Sequence, residues 1–134
     1  MRGRIALVTL VVPDYDRAIA FYCGALRFDL VEDTQLPDGK RWVVVRPKGG
    51  DNGGDGTGLL LAEAVGEAQV AAIGRQTGGR VGFFLHTGDF EHDFSAFVAA
   101  GVRFLEQPRT EAYGTVAVFE DPFGNKWDLL QPAP

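Results

Sequence analysis

The sequence predicts an α+β fold in which two βαβββ modules pair into a cup-shaped mixed sheet. Three observations predict it. Strand-length apolar segments and two amphipathic helices follow one another in the order strand, helix, three strands. That order occurs twice. The halves also match in sequence, "DYDRAIAFYCG-ALRF" lying over "DFEHDFSAFVAAGVRF" with one gap, so that Asp14 meets Asp89, Tyr15 meets Phe90, Ile19 meets Phe94, Tyr22 meets Phe97 and Phe28 meets Phe104. A unit of roughly 70 residues repeated once is longer than a solenoid period and marks a pseudo-symmetric pair.

The first strand is Ile5–Val12, an apolar run that Pro13-Asp14 ends without a small-residue cleavage pattern, which favours a strand over a signal peptide. "DYDRAIAFYCGAL" then sets Tyr15, Ala18, Ile19, Tyr22 and Leu26 on one helical stripe, with Asp14 as N-cap. Phe28–Thr34, Arg41–Arg46 and Gly58–Glu63 read as strands, rich in Val, Leu or Trp. "KGGDNGGDGTG", from Lys48 to Gly58, reads as a flexible polar loop and a candidate mobile flap, and it lacks the Lys-Ser/Thr ending of a phosphate-binding loop. Residues 67–78 read as a helical connector and glycine joint between modules of about 1–66 and 79–134, the whole chain 1–134 forming one domain. In the second module Val81–Thr87 is a strand, and "DFEHDFSAFVAAGV" a helix with Asp89 as cap and Gly101 as stop. Val102–Glu106, Thr115–Glu120 and Lys126–Gln131 are the closing strands. In "DPFGN", Gly124 supplies a positive φ and Asn125 a turn.

With 134 residues the chain is long enough for one domain with a real core, and 46 % apolar against 23 % charged residues is a globular balance. A net charge of −5, with no run of Lys or Arg longer than a pair, argues against nucleic acid or an anionic membrane as partner. The single cysteine, Cys23, excludes an internal disulfide and a thiolate zinc cluster, and fits a reducing cytoplasm. No stretch approaches the roughly 20 apolar residues of a membrane-spanning helix.

From "LVTLVVPDYDRAIAFY" to "FEDPFGNKWDLLQ" the chain resembles the vicinal oxygen chelate superfamily, which includes glyoxalase I, bleomycin-resistance proteins and extradiol dioxygenases. The ending is similar to the family pattern DPxGNxxxLxQ, the more specific of the two motifs. The resemblance implies the glyoxalase/bleomycin-resistance/dioxygenase fold, a homodimer and, in the enzymes, a divalent metal held by four side chains. Those ligand positions fall here on Leu7, on Arg80, near Leu59, Leu60 and Leu61, and on Asp128. Only Asp128 matches, and octahedral sites want at least three N or O donors from protein. No metal or other cofactor is therefore expected.

If Arg80 faces the cup, strand alternation sends Gly82, Phe84 and His86 there too, with Leu7, Thr9 and Val11 in the first strand and Lys126, Asp128 and Leu130 in the last. Arg80 and Asp128 have three readings: a structural ion pair or solvated side chains; a fixed positive charge that holds a carboxylate, phosphate or enolate with Asp128 orienting it; or an unexpected metal arrangement. His86 is either a strand-ending polar residue or a general acid or base. Trp42 and Tyr113 either stack on a planar ligand or serve as core or dimer contacts. His92 reads as a surface residue, Cys23 as packing, Trp127 as core. The expected function is binding of a small organic molecule by a cytoplasmic homodimer, through Arg80, Asp128, His86, Trp42, Tyr113, Phe84, Leu7 and Thr9. The alternative is a metal-dependent lyase, isomerase or dioxygenase with a non-standard site, in which His86, Asp128 and Arg80 are the catalytic candidates.

Overall fold

A computed structural model of the chain describes residues 1–49 and 56–134, so most of the expected flap, residues 50–55, lies outside the described residues. The chain forms two compact units, Met1–Ile73 and Gly74–Pro134.

In the first unit, strand β1 (Leu7–Val12) leads into helix α1 (Tyr15–Ile19). The Asp14 side chain caps α1 by accepting from the Arg17 amide at 2.7 Å. The helix then widens into a π-helical stretch, Ala20–Ala25, in which the Leu26 amide donates five residues back to the Phe21 carbonyl at 3.0 Å. Strands β2 (Asp29–Gln35), β3 (Arg41–Arg46) and β4 (Gly58–Glu63) follow, and the sheet order is β1-β4-β3-β2 with β1 parallel to β4. Alternation decides the faces. Leu10 of β1, Leu61 of β4 and Val43 of β3 stand in one register row, and all three are fully buried. Ala18, Tyr22 and Leu26 from the helical stripe are buried with them. Each such side chain contributes about 1.5–3 kcal/mol of burial free energy, which pins the register because a one-residue slip would turn the row outward. Arg41 locks the rim: it grips Asp33 with two nitrogens at 3.1 and 2.8 Å and Asp16 of α1 with a third at 2.9 Å. Helix α2 (Glu67–Ala72) ends the unit where a helical connector was expected.

In the second unit, β5 (Val81–His86) precedes helix α3 (Phe90–Ala99), capped by the Asp89 side chain on the His92 amide at 3.1 Å and stopped by Gly101 at φ 89°. Four more strands follow: β6 (Arg103–Phe104), β7 (Arg109–Glu111), β8 (Gly114–Glu120) and β9 (Lys126–Pro132). Their order is β5-β9-β8-β6, with β5 parallel to β9 and β7 also paired to β8. The sequence predicts three closing strands; β7 is a fourth, short and polar, carrying no apolar alternation to announce it. The helix side of this sheet is aromatic. Phe119 is fully buried, its ring 5.8 Å from Phe97, 5.5 Å from Phe104 and 5.9 Å from Trp127 between centroids. Trp127 is thus a core residue. The "DPFGN" turn closes on itself: Asp121 Oδ1 accepts from the Phe123 and Asn125 amides, both at 2.9 Å, and Oδ2 from Asn125 Nδ2 at 2.7 Å, with Gly124 at φ 103°.

Candidate functional site

Strand β9 carries an acid where its neighbours are apolar. In Lys126-Trp127-Asp128-Leu129, Trp127 and Leu129 turn to the aromatic core, and alternation turns Asp128 to the face away from α3. Asp128 is only 8 % exposed, and its Oδ1 is buried without a hydrogen-bond partner among the described residues. The residues opposite it are Phe84 on β5 and Val118 on β8. Paired residues share a face, so this acid is flanked by carbon on both sides. Leaving such an oxygen unsatisfied is unfavourable by about 1–3 kcal/mol, and native chains keep that arrangement where something else uses the group.

The surrounding charges belong to a polar cluster that no apolar pattern in the sequence announces. Arg109 of β7 stands opposite Val116 and donates Nε to Glu106 Oε2 at 3.0 Å, and Nη1 to Glu111 Oε1 at 2.8 Å and to the Tyr113 hydroxyl at 3.2 Å. Glu106 Oε2 also accepts from the Val118 amide at 3.2 Å, which ties the cluster to the strand beside Asp128. Burial pushes the Asp128 carboxyl above its ordinary range; Arg109 pulls it back and Glu106 adds to the rise. The Arg109 guanidinium is held above its ordinary value by Glu111, Tyr113 and Glu106, and so is a permanent cation. The signal was present in "LEQPRTEAYGTV": Glu106, Arg109, Glu111 and Tyr113 sit where a turn returns a polar edge strand onto β8.

The other expected site residues fall as follows. Phe84 and His86 are exposed, Phe84 at 62 %, and stand opposite Asp128 and Leu130, on the Asp128 face as alternation implied. Tyr113 is half-exposed and engaged by Arg109. Arg80 is different. It is exposed, one residue before β5, and the register shifts between Val81, opposite Lys126, and Phe83, opposite Trp127. That bulge at Gly82 breaks the parity on which the placement of Arg80 beside Phe84 rested. The cation whose charge acts on Asp128 is Arg109. His92 is on the exposed α3 surface beyond its backbone contact with Asp89, and the half-buried Cys23 thiol is pushed up mainly by burial, as fits a packing residue.

In the first unit Leu7 and Thr9 are exposed on the β1 face opposite the buried Leu10 and Val12, and Leu7 stands beside Gly58. Trp42, 38 % exposed, borders a pocket of about 270 Å³ whose lining joins Leu60 and Val65 to Lys40, Glu63 and Gln69. Aliphatic walls with a few polar points and an open aromatic are ordinary features of a small-molecule surface.

The donor set does not suit the divalent ion of the family enzymes. Among the described residues no three His, Cys, Asp or Glu side chains gather as a metal site. Asp128 has Phe84 and Val118 as neighbours, and the Arg109 guanidinium that acts on it competes with a cation for the carboxylate.

A model of the Glyoxalase/Bleomycin resistance protein/Dioxygenase superfamily matches residues 4–129. The chain belongs to this superfamily. Its two mixed sheets with few helices are the glyoxalase/bleomycin-resistance fold. An uncharacterized protein of Shewanella frigidimarina (strain NCIMB 400) is 51 % identical over 132 residues, covering 98 % of this chain and 95 % of that one. The crystal structure of UcmS2 is 30 % identical with a TM-score of 0.82, over 97 % of this chain and 98 % of that one. TnmS3, an antibiotic binding protein from Streptomyces sp. CB03234, is 30 % identical with a TM-score of 0.76, over 98 % of each chain. No described helix of this superfamily member is long and apolar enough to cross a membrane.

Proposed function

We propose that this chain binds a small organic molecule, in the manner of the superfamily's antibiotic-binding members, and that it does so without a divalent metal. The observation that carries the reading is Asp128: a buried carboxyl with an unpartnered oxygen, set among apolar neighbours on the sheet face away from the helix. A core position would have been filled by a hydrocarbon, and a metal site would have brought further donors. Exposed Phe84 on the same face offers the flat apolar contact a planar ligand needs. Within the first unit, taken by itself, Trp42 borders a pocket of the same character. The likeness to TnmS3 supports the same ligand class. A metal-dependent lyase, isomerase or dioxygenase has less support, because the donors it requires are not gathered among the described residues.

As part of this proposal the protein works in the cytoplasm as a homodimer. Strand β2 is a sheet edge exposed along its whole length, Leu30 and Val31 included, which is the kind of edge that a second copy covers. The test is isothermal titration of planar aromatic antibiotics and fragments into protein held in a chelator. Stoichiometric binding without turnover is expected; binding that appears only when a metal is added back would overturn the proposal.

A further inference from the structure

We infer that the ligand meets the second sheet through a hydrogen-bond donor, an ammonium, amide N–H or phenolic O–H aimed at Asp128 Oδ1, with its apolar body over Phe84, and that an oxyanion presented there is rejected. The inference rests on the binding reading above and narrows its ligand class.

The geometry supplies the first half. Asp128 Oδ1 is buried and has no partner, while the groups beside it in register, Phe84 and Val118, have no side-chain donor to offer. Leu130, two residues further along β9, likewise brings only carbon to that face. Among the described residues no donor meets Oδ1, which leaves it for a donor that the ligand brings. Phe84, directly opposite and largely exposed, is the surface on which the rest of the molecule would lie.

The charges supply the second half. Arg109 is the cation nearest in effect, but its Nε and Nη1 are taken by Glu106, Glu111 and the Tyr113 hydroxyl. Asp128, Glu106 and Glu111 thus share one guanidinium. Lys126 gives its Nζ to the Gly79 carbonyl at 3.2 Å, and Glu120, opposite it, pairs with Arg103 at 2.9 Å. An incoming carboxylate or phosphate would meet three carboxylates around one guanidinium whose Nε and Nη1 are already engaged. This reverses the expectation that a fixed positive charge holds an anion. A ligand cation or neutral donor instead satisfies Oδ1 and adds to the compensation Arg109 begins.

The test uses four probes that share one ring system: naphthylmethylammonium, naphthol, methoxynaphthalene and naphthoate, titrated at neutral pH with amide chemical shifts followed along β9. The ammonium and naphthol are expected to bind tighter than methoxynaphthalene and naphthoate by about 10-fold or more. In Asp128→Leu naphthol should fall to the level of methoxynaphthalene. In the near-isosteric Asp128→Asn, which keeps the test open if the Leu variant misfolds, the ammonium should lose its advantage over methoxynaphthalene. Naphthoate binding as tightly as the ammonium, or an ammonium preference unchanged in Asp128→Asn, overturns the inference and leaves small-molecule binding standing. Failure of all four probes to bind overturns both.

Discussion

Replacing Asp128 by Leu should make the unliganded protein more stable. The carboxyl lies 8 % exposed with Oδ1 unpartnered, and Phe84 and Val118 stand opposite it. A buried acceptor without a partner is unfavourable by about 1–3 kcal/mol, and an apolar side chain of similar volume removes that term. The attraction of Arg109 is lost in the exchange, yet that head group is solvated and shared with Glu106 and Glu111, so it offsets only part of the gain. A net gain of about 1–2 kcal/mol is expected, which for a chain of this length is roughly 3–8 °C in Tm. Urea unfolding at several pH values is the assay. Burial raises the folded-state pKa of Asp128 above its unfolded value. The native acid therefore holds its proton more firmly, and the destabilising contribution is full above the raised pKa and vanishes below the unfolded one. The advantage of Leu should accordingly be largest at neutral pH and shrink as pH falls through the raised value. His86 on β5, Arg109 and Glu111 on β7, Glu106, Glu120 on β8 and Lys126 on β9 share the surroundings, so the comparison is made between variant and parent at each pH. A loss of stability at neutral pH would refute the reasoning, because it would show that Asp128 makes native interactions worth more than its burial costs.

Three further outcomes follow from the packing and the charges. Phe119→Ala, at the centre of the Phe97, Phe104 and Trp127 cluster, should destabilise by about 3–5 kcal/mol, read as a lower urea midpoint with altered Trp127 emission. Gly114→Ala should destabilise by more than about 1 kcal/mol, since a Cβ there would fall on the Gln131 carbonyl oxygen of the paired strand β9. Arg109→Gln should move the Asp128 carboxyl still higher, because it removes the one influence that lowers it while Glu106 remains; carbon-detected NMR titration of that carboxyl reads the direction, and a downward shift would contradict the assignment.

Where a strand announces itself by apolar residues, it was legible. Arg41–Arg46 and Gly58–Glu63 run over the expected residues, and α3 begins at the expected Asp89 cap. The first strand starts at Leu7 rather than Ile5, whose side chain is exposed and contributes no burial. What could not be read was set by pairing rather than pattern. Strand β7 is Arg-Thr-Glu, an edge segment recognisable only by its ladder to β8. The same segment carries Arg109, so missing the strand meant missing the cation that acts on Asp128. The bulge at Gly82 inserts one residue into β5, so a parity count does not carry through it to the residues before it, and the expected placement of Arg80 rests on such a count. Asp128 itself was visible, because a charge between Trp127 and Leu129 conflicts with its strand, and such conflicts gather at functional positions.

Equilibrium dialysis of the purified protein against manganese, iron, nickel and zinc, followed by metal analysis, with Asp128→Asn in parallel, tests the central claim most directly. The expected result is metal content far below one ion per chain, indistinguishable between parent and variant. One ion per chain in the parent, lost in Asp128→Asn, would contradict it.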